Sequence, residues 1–289
     1  MPITAVPDSP VRPTLSRRHS VGIASARSWL LTVLGEFVLP ANDPVWTSTI
    51  VTALGGLGLE EKAARQSLAR TAADELIQAE RVGRRTRWRL TDSGRHLLSE
   101  GAERIYSFAG QESTWDGHWL VISTAVPEGQ RDLRHRLRTR MAWAGFGSLG
   151  ANTWISPNTA REAEAKQLLD DLGLSTTTLS FTGQFAGIGT EKSLVEQAWD
   201  LRGIAGRYRE FLAEFAGRRP RPGGATMLAQ VRLVHEWRRF PFLDPQLPSE
   251  LLPPDWIGAR AAAVFRRQHT AWHPAAQAHW RSLAARDDH

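Results

Sequence analysis

The sequence predicts a multidomain α+β protein with an N-terminal winged helix, a central ferredoxin-like βαββαβ module and a C-terminal α-helical domain. Three observations predict it. Residues 57–98 run helix, arginine-loaded hairpin, helix. Residues 119–181 alternate strand-like and helix-like periods in the order β, α, β, β, α, β. From Leu194 onward the apolar spacing is helical and is interrupted only by Pro- and Gly-rich segments. The expected divisions are a disordered tail over 1–22, a winged-helix module over 23–110, a middle domain over 111–188 and a helical domain over 189–285.

The tail, rich in Pro, Ser and Arg, has no sustained period. Ser25 opens a helix whose Trp29, Leu30, Val33, Leu34 and Phe37 share a face, and the PANDP of Pro40–Pro44 stops it. A second short helix spans Trp46–Leu54 and ends at Gly55 and Gly56. In the third helix Ala64, Leu68, Ala72 and Leu76 form the buried stripe. At about 100° per residue, Lys62, Gln66 and Arg70 then point away from it. The stretch RVGRRTRWR, Arg81–Arg89, reads as a hairpin turning at Gly83–Arg85. Its return strand places Thr86, Trp88 and Leu90 on one face and Arg85, Arg87 and Arg89, solvated, on the other. Thr91 caps the next helix.

Cations and an amide on one helix, next to an arginine-tipped hairpin, match what phosphate neutralisation and base reading require. Lys62 and Gln66 are expected to approach base edges of double-stranded DNA, with Arg65 and Arg70 nearer phosphates. Arg84, Arg85 and Arg87 are expected to contact backbone or minor groove. A solvated arginine-rich turn is the plainer reading of the hairpin taken alone.

In the middle region Trp119–Val126 reads as a strand, Pro127–Trp143 as a basic amphipathic helix and Phe146–Ser156 as a hairpin. Asn158–Leu172 follows as a helix and Ser175–Phe181 as a strand. The last region offers helices over Leu194–Phe215, Met227–Phe240, Ile257–Thr270 and Pro274–Leu283. Between them lies the Pro-rich FPFLDPQLPSELLPPDW of Phe240–Trp256.

The chain of 289 residues has a net charge of +6, and Lys occurs only at Lys62, Lys166 and Lys192. Arginine suits bidentate phosphate and guanine contacts. The absence of cysteine excludes disulfides, thiolate zinc sites and cysteine nucleophiles. No apolar run approaches the roughly 18 residues that span a bilayer, so no membrane association and a cytoplasmic location are expected. No catalytic constellation emerges, and no cofactor or metal is expected. There is no GxSxG and no HExxH, Gly183–Gly189 lacks a phosphate-binding Lys, and Pro274 directly follows the His269/His273 pair. The competing reading is a metal-dependent nuclease built on the middle domain. It fails on the first strand, where ISTAVP, Ile122–Pro127, offers no carboxylate to a hard cation.

The whole chain resembles the phenylacetic acid operon repressor (PaaX) family. The resemblance is carried by SARSWLLTVLGEFV at Ser25–Val38, KAARQSLARTAADEL with RVGRRTRWRLTDSGRHLL, WDGHWLVIS at Trp115 and, most specifically, HEWRRFPFLDPQLPSELLPPDW at His235–Trp256. It covers about 23–283. It implies a repressor of a catabolic operon that releases operator DNA on binding an acyl-coenzyme A or a related aromatic effector. The effector contacts expected in the last motif are His235, Arg238, Arg239 and Trp256. A homodimer is expected too, since two half-sites give affinity and specificity, with the aromatic-rich C-terminal helices as its interface.

Overall fold

The N-terminal helix starts where the sequence places a cap: the Ser25 hydroxyl accepts the Ser28 N–H at 3.2 Å. The structure, a computed structural model, describes residues 25–108 and 114–287. The expected tail over 1–22 and the 110/111 boundary lie outside the described residues. The chain divides into two compact units. One takes residues up to Glu103 with Arg221–His235 and those from His273 on; the other takes Arg104–Pro220 and Glu236–Trp272.

In the first unit, α1 (Ala26–Val33) continues through a wide π-helical stretch, Leu34–Val38, and a last turn, Leu39–Ala41. Then come β1 (Val45–Trp46), α2 (Thr47–Gly56), α3 (Glu61–Ala73), β2 (Ile77–Val82), β3 (Arg85–Leu90) and α4 (Asp92–Ser107). The strands form an antiparallel sheet in the order β1-β3-β2. Leu30, Leu34, Phe37, Ile50, Leu54, Leu68 and Leu90 form its core. The Thr91 hydroxyl accepts the Gly94 N–H at 3.0 Å, the cap expected for α4. Gly94 is required there, because a Cβ would sit 1.9 Å from the Leu76 carbonyl oxygen.

That core is completed from far along the chain. Met227 and Val231 of α9 (Gly224–Trp237) belong to it, as do Ala276 and Trp280 of α11 (Gly258–Arg286), which follows the short α10 (Phe240–Leu243). Trp280 stacks on Phe37 with ring centroids 4.9 Å apart. Glu36, buried in the π-helical stretch, receives the Gln230 amide at 3.1 Å, and its carbonyl receives that of Gln277 at 2.7 Å.

The second unit contains β4 (His118–Thr124), α5 (Arg131–Trp143), β5 (Gly147–Ser148), β6 (Thr153–Ser156), α6 (Glu162–Asp171) and β7 (Thr178–Gln184). The sheet order is β5-β6-β4-β7, antiparallel throughout. Leu120, Ile122 and Trp154 of the sheet pack on Leu137 and Met141 of α5 and Ala165 and Leu169 of α6. After α7 (Glu191–Ala198) and α8 (Leu201–Phe215), a second aromatic core joins Tyr208, Phe211, Trp237, Phe240 and Phe265. Tyr208 stacks on Phe240 at 4.2 Å and Trp237 on Phe265 at 4.7 Å. The aromatic residues expected to present an interface are therefore mostly interior, Trp199, Trp237 and Trp272 included.

Two helix boundaries differ from the sequence expectation. The stretch read as one helix over Leu194–Phe215 breaks at Trp199, which is extended, because Asp200 accepts the Gly203 N–H at 2.9 Å and starts a new helix. The two helices expected on either side of Pro274 are one, α11, with Pro274 inside it. An interior proline costs about 3 kcal/mol. Burial of Ala276 and Trp280 beyond it holds the helix together.

Candidate nucleic-acid interface

The outward face of α3 carries Glu61, Lys62, Arg65, Gln66 and Ala69, which line one open groove. The opposite face is anchored by Ala64, Ser67, Leu68 and Thr71, all buried. The Ser67 and Thr71 hydroxyls bond carbonyls of their own helix, each at 2.7 Å, so no polar atom opposes that burial. Lys62, Gln66 and Arg70, spaced four apart, make one exposed row. Among the described residues none of the three has a side-chain hydrogen bond or ion pair. Arg65 pairs with Glu61 at 2.7 Å, both well exposed. Such a pair is worth little in water and yields readily to a phosphate.

The hairpin turns on two residues, since Val82 faces Arg85. Gly83 takes φ +60°, the positive value that a type II′ turn requires at its first central position. Arg84 is thereby placed at the tip, exposed and without an ion-pair partner among the described residues. Below the tip Arg85 and Arg89 are exposed, as expected of that face, but its arginines are paired. Arg87 lies across from Glu80 and donates to both its oxygens, at 2.9 and 2.7 Å. That bond, with the Arg87 and Arg89 charges, holds the Glu80 carboxyl below its ordinary value. Arg85 lies 4.1 Å over the Trp46 ring and 3.8 Å from the Asp287 carboxylate. Asp287 in turn accepts from Thr49 at 2.5 Å. On the other face Trp88 packs inward as expected, its indole donating to Thr47 at 2.9 Å.

The motif residues expected to hold an effector are not brought together. His235 is core in the first unit, stacked on Trp29 at 3.5 Å with Nδ1 3.1 Å from the Thr32 hydroxyl. The other three belong to the second unit. Burial, with the neighbouring Arg239 charge, pulls the Arg238 guanidinium down to about 10. Arg239 pairs with Glu236 at 3.0 Å and lines a cavity of about 230 Å³ with Arg207, Glu210 and Glu214. Trp256 stands edge-on to Tyr208 and lines a different cavity of about 660 Å³.

A third cavity, also about 660 Å³, is bordered by Phe242, Leu243 and Pro245 of the Pro-rich motif and by Arg138, Trp143, Trp154, Trp199 and Arg207. Sequence reasoning missed Arg138, Trp143, Trp154 and Arg207, which lie outside the distinctive motif. Arginines at every second position leading to a tryptophan, in the basic helix RLRTRMAW, gave the one available signal. Asp244 of the same motif accepts from Tyr208 at 2.7 Å, and burial raises the carboxyl pKa of Asp244.

Residues 25–94 match the PaaX-like protein family, 112–195 the PaaX protein central Cas2-like domain and 199–282 the PaaX-like protein C-terminal domain. The transcriptional repressor PaaX of Escherichia coli (strain K12) is 27% identical over 276 residues, covering 90% of this chain and 85% of that protein. The uncharacterized protein Rv0674 from Mycobacterium tuberculosis superposes with a TM-score of 0.60 at 22% identity, over 88% of this chain and 98% of that one. Among the described residues no helix is long and apolar enough to cross a membrane.

Proposed function

Since the chain belongs to the PaaX family along nearly its whole length, we propose that it is a cytoplasmic DNA-binding transcriptional regulator, a dimeric repressor of a catabolic operon. The observation that carries this reading is the row Lys62, Gln66, Arg70, unpaired among the described residues, on an exposed helix, followed by a hairpin with Arg84 at its tip. Three helices, a hairpin and a short strand pairing with it support a winged-helix assignment of the first unit. The antiparallel order β5-β6-β4-β7 with two helices on one face supports a ferredoxin-like assignment of the central sheet.

Lys62 and Gln66 read base edges in the major groove. Arg65 and Arg70 hold phosphates, and Arg84 touches backbone or minor groove. Arg85 and Arg87 join it when a phosphate replaces Asp287 or Glu80. The effector is an aryl-coenzyme A or related aromatic compound in the cavity lined by Phe242. Trp143, Trp154 and Trp199 supply apolar surface there, and Arg138 and Arg207 supply charge for phosphates. The buried Trp154 indole N–H, without an acceptor among the described residues, is a donor that a ligand would satisfy.

Mobility-shift titration of the DNA upstream of the chain's own operon, repeated over a salt series, tests the DNA reading. Sequence-independent binding, or none, refutes it. Adding phenylacetyl-coenzyme A and other aryl thioesters to the complex tests the effector reading, since each must bind free protein more tightly than DNA-bound protein by the factor that it weakens DNA.

A further inference from the structure

The sheet of the second unit ends at β7, an edge strand paired on one side only, with β4. Leu179 is 73% exposed and Phe181 58%, on the face opposite α5 and α6, and Ile188 just beyond the strand is 92% exposed. The strand, TLSFTGQ, carries no charge in a chain that is 23% charged residues. Soluble proteins protect a long exposed edge with charge, proline or a cover. Here none of the first two is present, so a cover is required.

We propose that β7 pairs antiparallel with β7 of a second copy of this chain, joining the two sheets across a two-fold axis at Phe181. The proposal rests on the dimeric reading above and places its interface. The ladder between β4 and β7 continues past the strand end, where the Ala125 N–H bonds the Thr177 carbonyl at 3.3 Å. Pairing alternates in an antiparallel ladder, so Leu179, Phe181 and Gly183 turn their main chain toward β4. Thr178, Ser180, Thr182 and Gln184 turn theirs outward, unpaired among the described residues.

A two-fold at Phe181 sets Ser180 opposite Thr182 of the partner subunit and Thr178 opposite Gln184 of the partner subunit, and it uses every outward group. In the same register Leu179 falls opposite Gly183 of the partner subunit. Space is free there, because a Cβ on Gly183 would meet nothing within 4 Å. Phe181 meets Phe181 of the partner subunit as a close pair without hydrogen bonds. On the other face the hydroxyls of Thr178 and Ser180 are already bonded, to Thr124 at 2.7 Å and Glu162 at 3.1 Å. An uncharged strand whose bulky and empty positions match on reversal suits a copy of itself.

The chain has no cysteine, so a single introduced thiol reports its own distance from its copy. Phe181→Cys places two Cα atoms about 4.5 Å apart, within disulfide reach, and is expected to oxidise to a covalent dimer that still shifts operator DNA. Leu179→Cys, about 13 Å from its copy in this register, is expected to remain uncrosslinked. Phe181→Lys and Leu179→Lys are expected to give monomers by light scattering at micromolar concentration, with unchanged far-ultraviolet dichroism. If a lysine variant misfolds, the cysteine pair decides. A dimeric wild type whose Phe181→Cys does not crosslink, or whose folded lysine variants stay dimeric, overturns the β7 interface and leaves the dimeric reading standing. A wild type that is monomeric both free and on DNA overturns both.

Discussion

Removing Trp280, more than 200 positions from α3 in sequence, is expected to loosen that helix. Trp280 is 5% exposed, stacks on Phe37 at 4.9 Å and lies in one core with Leu30, Leu54 and Leu68. Truncating a buried tryptophan to alanine costs about 3–5 kcal/mol. A domain has only about 5–15 kcal/mol in all. The first unit of Trp280→Ala therefore stays folded at 25 °C but loses a large part of its margin. At about 1.4 kcal/mol per decade, a loss of about 4 kcal/mol speeds exchange of globally protected α3 amides by roughly a thousandfold. Hydrogen exchange resolved to α3 is the assay, with the exposed Arg281→Ala on the same helix as control. A fragment ending at residue 108 lacks Met227, Val231, Ala276 and Trp280 together, and is expected to be unfolded. Unchanged α3 protection in Trp280→Ala, or a 25–108 fragment that binds operator as the full chain does, would refute the reasoning.

Gln66→Ala is expected to change sequence preference by about 1–3 kcal/mol at one base pair; an unchanged preferred operator in a selection experiment would show that α3 reads DNA with another face. Arg84→Ala should weaken binding to all sequences alike and lower the salt slope by about one. Glu80→Gln should do the opposite, freeing Arg87 for a phosphate and steepening the slope by about 0.9; equal slopes for wild type and Glu80→Gln would mean that Arg87 does not reach DNA. Because burial raises Asp244 above its ordinary 3.8, stability of the second unit is greatest below that value and declines as pH rises through the raised one. Asp244→Asn, which still accepts from Tyr208, should flatten that dependence in urea-unfolding midpoints followed upward from about pH 4.

What the sequence reveals is what local periodicity encodes. The outward row of α3 was legible because Ala64, Leu68 and Ala72 fix the inward face within one helix, and the place of the hairpin turn, though not its two-residue length, because a glycine is placed between paired strand patterns. The Asp200 break was masked by an apolar stripe running through Trp199, although Asp-Leu-Arg-Gly is itself a start signal. Contacts set by residues far apart were not legible. Pro274 stands as a stop in any local reading. The compensating burial of Trp280 against Phe37 exists only once the chain has folded back.

The same cause separates the wing arginines into two classes. Arg84 has no ion-pair partner among the described residues because it occupies the turn, which local sequence decides. Arg85 is held by Trp46 and Asp287, which lie at opposite ends of the chain. The motif of His235–Trp256 shows the limit from the other side. His235 and Arg239 lie four residues apart, yet one stacks in the core of the first unit and the other lines a cavity of the second. A distinctive run of sequence identifies a family, but it does not mark out a single surface. Here the part of the motif that borders the best-suited cavity is Phe242–Pro245, and the arginines that could neutralise a phosphate beside it come from α5 and α8.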